Sequence, residues 1–587
     1  MEKATRARQE VSAKIFKEFF NIPFLPKSSH IDDSMQFLDY WYDFYSTLKE
    51  IRPGKNQDYT ITDFLAVFEI LPPELDELKK CEFLGDTFRD EANYDFASGR
   101  YRDAVVSYTR SLMTAPANTE CIAMTYANRS AALYRLKAYA ECISDIERVL
   151  DLPYPDDLRQ KIITRKEEAE KNMNNSCAED KVEAIEDELQ LAYGPNAKVP
   201  EISKEIDIVQ TCQEGLKLVA KTDFDPGDVL IIAKRQLAVA EYDQDPTYCH
   251  DCLKPSLCLI PCDYCCEDVY CSTECRIRAY KKYHRIECKI QSTLAASFPM
   301  DLRALLYQLR CLNIFTKQGA NLKAILDDLK EIDDNSDSEK LEFTDEQFAP
   351  NSRQAFLNML KNKNSKAKHN YISLFEAAYI ATLLKNHTNF LQKNSDLPVV
   401  AEIMTKINKI WPWNHFGIMY HGEKRIKARA AFPILGLVQH ACVNNTITYL
   451  DKKGRIVIRA SLFIRPGDEI LHDYQQLHYT FQEMSSKSGR LVQCRRHCSK
   501  CDKSFSYPIE RQPNIKVDKR LLVILEKNPF NIEALWKLLN IVRRSQQPFT
   551  LQTQVVKILL TEGYEQRFDI AIGHMNLYML GVFENMP

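Results

Sequence analysis

The sequence predicts an α+β multidomain protein: α-helical repeats at the N-terminus, a β-rich domain split by a metal-binding insert, and a C-terminal helical domain. Three observations predict it. An internal repeat sets Tyr139 and Cys142 where Tyr101 and Ala104 stood one unit earlier. Eight metal-type side chains fall in four close pairs between Cys249 and Cys288. Apolar strand-like segments with Pro-Gly-Asp turns stand on both sides of that insert, at Asp225-Pro226-Gly227-Asp228 and Arg465-Pro466-Gly467-Asp468. The 587 residues suffice for several domains. A formal charge of -3 implies no general attraction to nucleic acid, and no apolar run approaches a membrane span. Nucleic acid and membrane are therefore not expected partners. Nineteen cysteines behind a charged N-terminus, read as carrying no secretory signal, predict a reducing compartment, cytoplasmic or nuclear.

Residues 1–78 read as a helical region with aromatic clusters such as Phe37 to Tyr42. In residues 79–173 the first unit carries Ala92, Phe96, Gly99, Tyr101, Ala104, Tyr108, Ser111 and Pro116. Those offsets resemble the tetratricopeptide repeat, in which small residues let two helices meet and aromatics fill the gap. The step from Tyr101 to Tyr139 is 38 residues, with the extra turn expected around Asn118, and a third helix is predicted over Leu158 to Met173. Arg89, Asn93, Asn128, Lys161 and Arg165 occupy positions that resemble the clamp of tetratricopeptide proteins that hold the acidic C-terminal tails of cytosolic heat-shock chaperones. Cations and amides on a concave helical face suit carboxylates through charge-assisted bonds. A solvated helix face is the competing explanation.

Residues 174–200 read as a linker with one short helix. Over 201–248, Thr211 to Ala233 predicts a hairpin turning at Asp225-Pro226-Gly227-Asp228. The insert, residues 249–288, pairs Cys249 with Cys252, Cys262 with Cys265, Cys271 with Cys275, and His284 with Cys288. Two residues between thiolates let both wrap one tetrahedral ion, so eight ligands supply two closed zinc sites. Sequential pairing would place Cys249, Cys252, Cys262 and Cys265 on one ion. Interleaving is preferred: Cys249, Cys252, Cys271 and Cys275 on one, and Cys262, Cys265, His284 and Cys288 on the other. A disulfide framework would require a secreted chain. Cys258 and Cys266 are surplus. The ligand order, with Tyr270-Cys271-Ser272 and a basic helix from Arg276 to Arg285, resembles the MYND zinc finger, which implies docking of proline-containing peptides.

Residues 289–395 read as mostly helical, with Leu302, Leu305, Leu306 and Leu309 at helical spacing; the acidic stretch Asp333 to Glu346 reads as an exposed loop. Residues 396–475 contain Asn414-His415-Phe416-Gly417-Ile418, then Gln439-His440-Ala441-Cys442-Val443-Asn444-Asn445, then Arg465 to Ile470 followed by His472-Asp473-Tyr474. These stretches resemble the SET domain. Taken with Gly215 in the place of the first loop glycine and Lys217 in the place of the second, the chain resembles the tetratricopeptide-bearing branch of the SET and MYND domain-containing protein-lysine methyltransferases. The resemblance implies Tyr474 as the catalytic tyrosine, and Glu214, Gly215, Leu216, Gln439, His440 and Tyr474 on S-adenosylmethionine. It also implies a post-SET segment, residues 476–505, in which Cys498 and Cys501 with Cys494 (or His497) and Cys442 hold a third zinc. Residues 506–587 resemble the family's C-terminal helical domain. The implied activity is methyl transfer to a lysine of a histone or non-histone protein. The alternative is a catalytically weak or inactive adaptor that binds chaperone tails and peptide partners.

Overall fold

The computed structural model describes residues 60–70, 79–176, 189–211, 215–240, 246–298, 302–317, 321–334, 371–391, 393–408, 416–419, 427–441, 444–472, 517–543, 551–568 and 571–572, with a few positions between 343 and 356. The chain forms two compact units. One comprises residues 1–186, 240–310 and 369–405, the other residues 187–239, 311–368 and 406–587.

In the first unit, α1 (Ile61–Ile70) is followed by α2 (Glu82–Ala97), α3 (Tyr101–Thr114), α4 (Glu120–Arg135), α5 (Tyr139–Leu150) and α6 (Asp156–Ser176). The two helix pairs repeat each other in detail. Phe96 meets Tyr101 edge-on at 5.3 Å across the first turn, and Tyr134 meets Tyr139 at 5.6 Å across the second. The left-handed residue of each turn is Gly99, at φ 76°, and Lys137, at φ 61°. At Gly85 a Cβ would stand 2.7 Å from that of Ala115, so only glycine lets α2 approach so closely. In α5 the buried residues Cys142, Asp145, Ile146 and Val149 follow the three-and-four spacing of one face. The third helix, α6, covers the predicted span. Phe68 of α1 packs edge-on against Tyr379 of the helix Tyr371–His387, at 5.5 Å.

The insert shares the core of these helices. Ala127, Ile146 and Val149 belong to the same buried cluster as Leu259, Ile260, Val269 and Tyr270. At its centre Arg129 is fully buried and grips Asp145 with two bonds of 2.7 and 2.8 Å. The same guanidinium donates to Thr109 at 2.9 Å and to the Leu259 carbonyl at 2.8 Å. One arginine thus joins three helices to the insert.

In the second unit, β1 (Ile206–Thr211) and β2 (Gly215–Ala220) form an antiparallel ribbon, pairing Ile206 with Ala220 and Thr211 with Gly215. The predicted pairing of β2 with β3 (Val229–Ala233) does not occur. The turn forms, with Gly227 at φ 104° and the Asp228 amide donating to the Asp225 carbonyl at 3.0 Å. But β2 turns its free edge to residues 467–470, through Gly467 N–H to the Ala220 carbonyl (2.8 Å) and Ile470 N–H to the Leu218 carbonyl (2.9 Å). The reason lies in β3, a continuous apolar run buried almost throughout, which needs a flanked position rather than a hairpin edge. One side of it takes residues 201–203. The other takes an apolar strand from far along the chain.

After β4 (Leu237–Ala240), the later strands are β5 (Phe416–Met419), β6 (Ala428–Ala431), β7 (Gln439–His440), β8 (Thr446–Leu450), β9 (Ile456–Ala460), β10 (Leu471–His472) and β11 (Ala571–Ile572). They form sheets in the orders β8-β9-β3 and β11-β5-β6-β4, with β7 and β10 pairing in parallel. Helices Lys519–Lys527, Ile532–Arg543 and Leu551–Phe568 lie against the first of these sheets. Tyr564 stacks flat on Tyr449 at 4.0 Å.

Candidate functional site

The insert brings its ligands together in the interleaved grouping. The ligand atoms of Cys249, Cys252, Cys271 and Cys275 lie within 4.8 Å of one another, and so do those of Cys262, Cys265, His284 and Cys288. None of these cysteines forms a disulfide, and Cys252 and Cys271 approach to 3.5 Å, Cys262 and Cys288 to 3.8 Å. A tetrahedron of thiolates about 2.3 Å from a zinc ion has edges of about 3.8 Å. Local structure sets each ligand. Ser272 caps the helix Thr273–Ala279, accepting from the Cys275 amide at 3.2 Å. A single π turn, Tyr280–His284, then widens the helix, and His284 aims Nε2 at Cys262 (3.2 Å) and Cys265 (3.4 Å). The predicted basic helix from Arg276 to Arg285 is helical throughout, with this π turn inside it. Four thiolates, and three thiolates with an imidazole, are donor sets that fit zinc.

In the second unit, the described residues that the sequence resemblance assigns to a cofactor come together on β2 and β7. β2 carries Gly215 and Leu216, and β7 carries Gln439 and His440. Gln439 is buried, and its Nε2 donates to the Leu216 carbonyl at 2.8 Å. The amide thus ties β7 to β2. Lys217 stands 3.9 Å from Glu469, which offsets its charge. The Ala441 amide donates to the His472 carbonyl at 3.0 Å, and His472 Nδ1 meets the Thr448 hydroxyl at 3.0 Å. Lys557, from the helix Leu551–Phe568, donates to both the carbonyl and the side-chain oxygen of Asn444, at 2.9 and 2.8 Å. Asn445 accepts from the Leu471 amide and donates to the Glu469 carbonyl, closing the chain around residues 469–472. Glu214, Cys442, Tyr474, Cys494, His497, Cys498 and Cys501 lie outside the described residues, and so does the side chain of His440.

On the repeats, the five predicted clamp residues fall into two groups. Asn93 accepts from Tyr108 at 2.8 Å and from Asn128 at 3.1 Å. Burial pushes the Tyr108 hydroxyl up to about 12, while the Arg89 and Arg165 charges pull it down. Arg165 donates to the Ala127 carbonyl and to Ser130, both at 2.8 Å, and burial lowers its pKa. Arg89 pairs with Asp86 at 2.9 Å. Lys161 is exposed.

Sequence reasoning missed two buried groups. Arg129 and Asp145 gave no signal, because helical periodicity alone leaves both among ordinary polar positions. Asp268 was passed over because only thiols and imidazoles were counted as chemistry in the insert; a carboxylate five residues before the helix Thr273–Ala279 was its one signal.

A β-rich core threaded around residues 469–472 and interrupted by a two-centre Cys/His insert defines a SET-type domain. Residues 215–475 match the SET domain family. Among curated proteins, the chain is 25% identical to human protein-lysine N-methyltransferase SMYD4 over 66% of this chain and 63% of that protein. It is 29% identical to chicken protein-lysine N-methyltransferase SMYD4 over 37% of this chain and 39% of that protein. It is also 31% identical to human tetratricopeptide repeat protein 4 over 16% of this chain and 23% of that protein. The chain thus spans less than two thirds of the length of the SMYD4 relatives it matches. These matches make the chain similar to the SET and MYND domain-containing family.

Proposed function

We propose that this chain is a protein-lysine N-methyltransferase that takes its methyl group from S-adenosylmethionine. The observation that carries the reading is the meeting of β2, β7 and residues 467–472 within one unit, two residues before Tyr474. When bound, the cofactor supplies an electrophilic methyl on a sulfonium. Gly215 and Leu216 would hold its polar end through their backbone, and Gln439 and His440 would hold its adenine side. Glu469 offsets the charge of Lys217, which would otherwise disfavour a cationic ligand. The target lysine has a pKa of about 10.4 in water, so the site must favour its neutral form by desolvation. Tyr474 orients that amine through its hydroxyl, and placement in line supplies most of the advantage.

Calorimetric titration with S-adenosylmethionine, in folded and zinc-replete protein, tests the reading. Micromolar binding is expected, with Tyr474→Phe keeping the binding and losing methyl transfer to peptide or protein substrates. No binding at millimolar cofactor would sink the enzyme reading and leave the adaptor.

The finger holds two zinc ions in this reading, and Cys442, Cys494, Cys498 and Cys501 hold a third; metal analysis distinguishes three equivalents from two. The bonded series Tyr108–Asn93–Asn128, with the Arg89 and Arg165 charges acting on the same hydroxyl, supports a second role, capture of an acidic chaperone tail by its C-terminal carboxylates. Asn93→Ala is expected to lose binding of such a peptide, and unchanged affinity would remove the clamp. On the finger, the exposed rings of Tyr264 and Tyr280, 5.8 Å apart, suit a proline-containing peptide.

A further inference from the structure

We propose that Asp268 is the orienting carboxylate of the second metal centre, acting on His284, and that His250 anchors it. Asp268 lies between Cys265 and Cys271, and its side chain is buried. Its backbone carbonyl accepts from the amide of the ligand Cys262 at 2.9 Å, so its position is set by the centre it serves. One carboxylate oxygen, Oδ1, is 3.0 Å from His250 Nδ1. The other, Oδ2, faces His284 Nδ1 at 3.5 Å.

Both facing atoms are fully buried, and among the described residues neither has a hydrogen-bond partner. Two buried polar atoms aimed at one another and left unjoined are costly unless something completes them. Metal binding does so. His284 turns Nε2 toward the thiols of Cys262 and Cys265. An imidazole that gives Nε2 to a metal keeps its proton on Nδ1 and donates it to an outer partner. Asp268 is the acceptor that faces that proton. Its second oxygen is fixed from outside the centre. His250 sits between the ligands Cys249 and Cys252, donates its backbone amide to the Val269 carbonyl at 2.9 Å, and accepts the Tyr283 hydroxyl at 3.1 Å. Asp268 therefore has one oxygen on His284 and the other on the loop of the first centre. This rests on the zinc reading of the two centres and is independent of methyltransferase activity.

The test is zinc release from the full, zinc-replete chain to the chromogenic chelator 4-(2-pyridylazo)resorcinol. Wild type, Asp268→Asn and the double variant Asp268→Asn with His284→Cys are compared. In Asp268→Asn one equivalent is expected to leave roughly 10- to 100-fold faster than in wild type. A cysteine ligand needs no second nitrogen fixed, so the double variant should return to slow release; a carboxylate needed only for packing would not be rescued this way. Wild-type release rates in folded Asp268→Asn overturn the proposal. Should Asp268→Asn fail to fold, the double variant decides: folded with slow release supports the role, and unfolded or fast release overturns it. Wild type that carries no zinc would instead sink the zinc reading itself.

Discussion

Glu201 carries its carboxyl against the end of β3, accepting from the Lys234 amide at 3.3 Å. Burial pushes its pKa up to about 7, against the weaker pull of that bond and of the Lys234 charge. The folded protein therefore holds a proton that the unfolded chain gives up near its ordinary value. The stability this proton confers is complete below about 4.5 and is lost as pH rises through 7. Glu201→Gln removes the ionisation. It is expected to raise the unfolding temperature at pH 8 and leave it unchanged at pH 5, read by thermal denaturation at both; equal effects at the two pH values would contradict the shift. At this scale the metal ligands were legible because their spacing is itself the chemistry. Glu201 and Asp268 were not, since a lone carboxylate reveals its burial only through partners that sequence order does not place beside it.

Among the elements, the helix pairs were the most legible, because both their aromatic pairs and their turn residues recur at one interval. The hairpin was misread for a definite reason: the turn residues are local, while the strand partners are chosen by apolar surface. A run such as Val229-Leu230-Ile231-Ile232 reports that it is buried without saying between which neighbours. The join between α4, α5 and the insert rests on Arg129 and Asp145, both without exposed side-chain surface. Removing one partner of such a pair leaves the other charge buried and uncompensated. Arg129→Met is expected to cost about 3–5 kcal/mol. Replacing both, Arg129→Met with Asp145→Leu, should cost less than the single change, as measured in chemical denaturation. A double variant worse than either single one would mean that the pair is not the source of the cost.

On the scale of the whole molecule, the order of the parts is legible in the sequence, but which parts share a core is not. The repeats and the finger are separated along the chain by residues 187–239 of another unit, yet Leu259, Ile260 and Tyr270 complete the core of α4 and α5. Zinc is therefore expected to support more than the finger. Chelation of the metal should reduce amide protection over Tyr126 to Arg129 in hydrogen exchange while the β8-β9-β3 sheet keeps its protection. Unchanged protection at Arg129 in demetallated protein would show that the helices hold without the finger.

The bond from Arg129 to the Leu259 carbonyl spans 130 residues of sequence. During synthesis at roughly 5–20 residues per second, the helices would wait on the order of ten seconds for the segment that covers them. Through that interval a buried guanidinium site and its apolar surround stay open to solvent on the nascent chain. The ribosome-bound repeats are thus an incomplete domain, and their exposure ends only when the finger emerges and folds onto them.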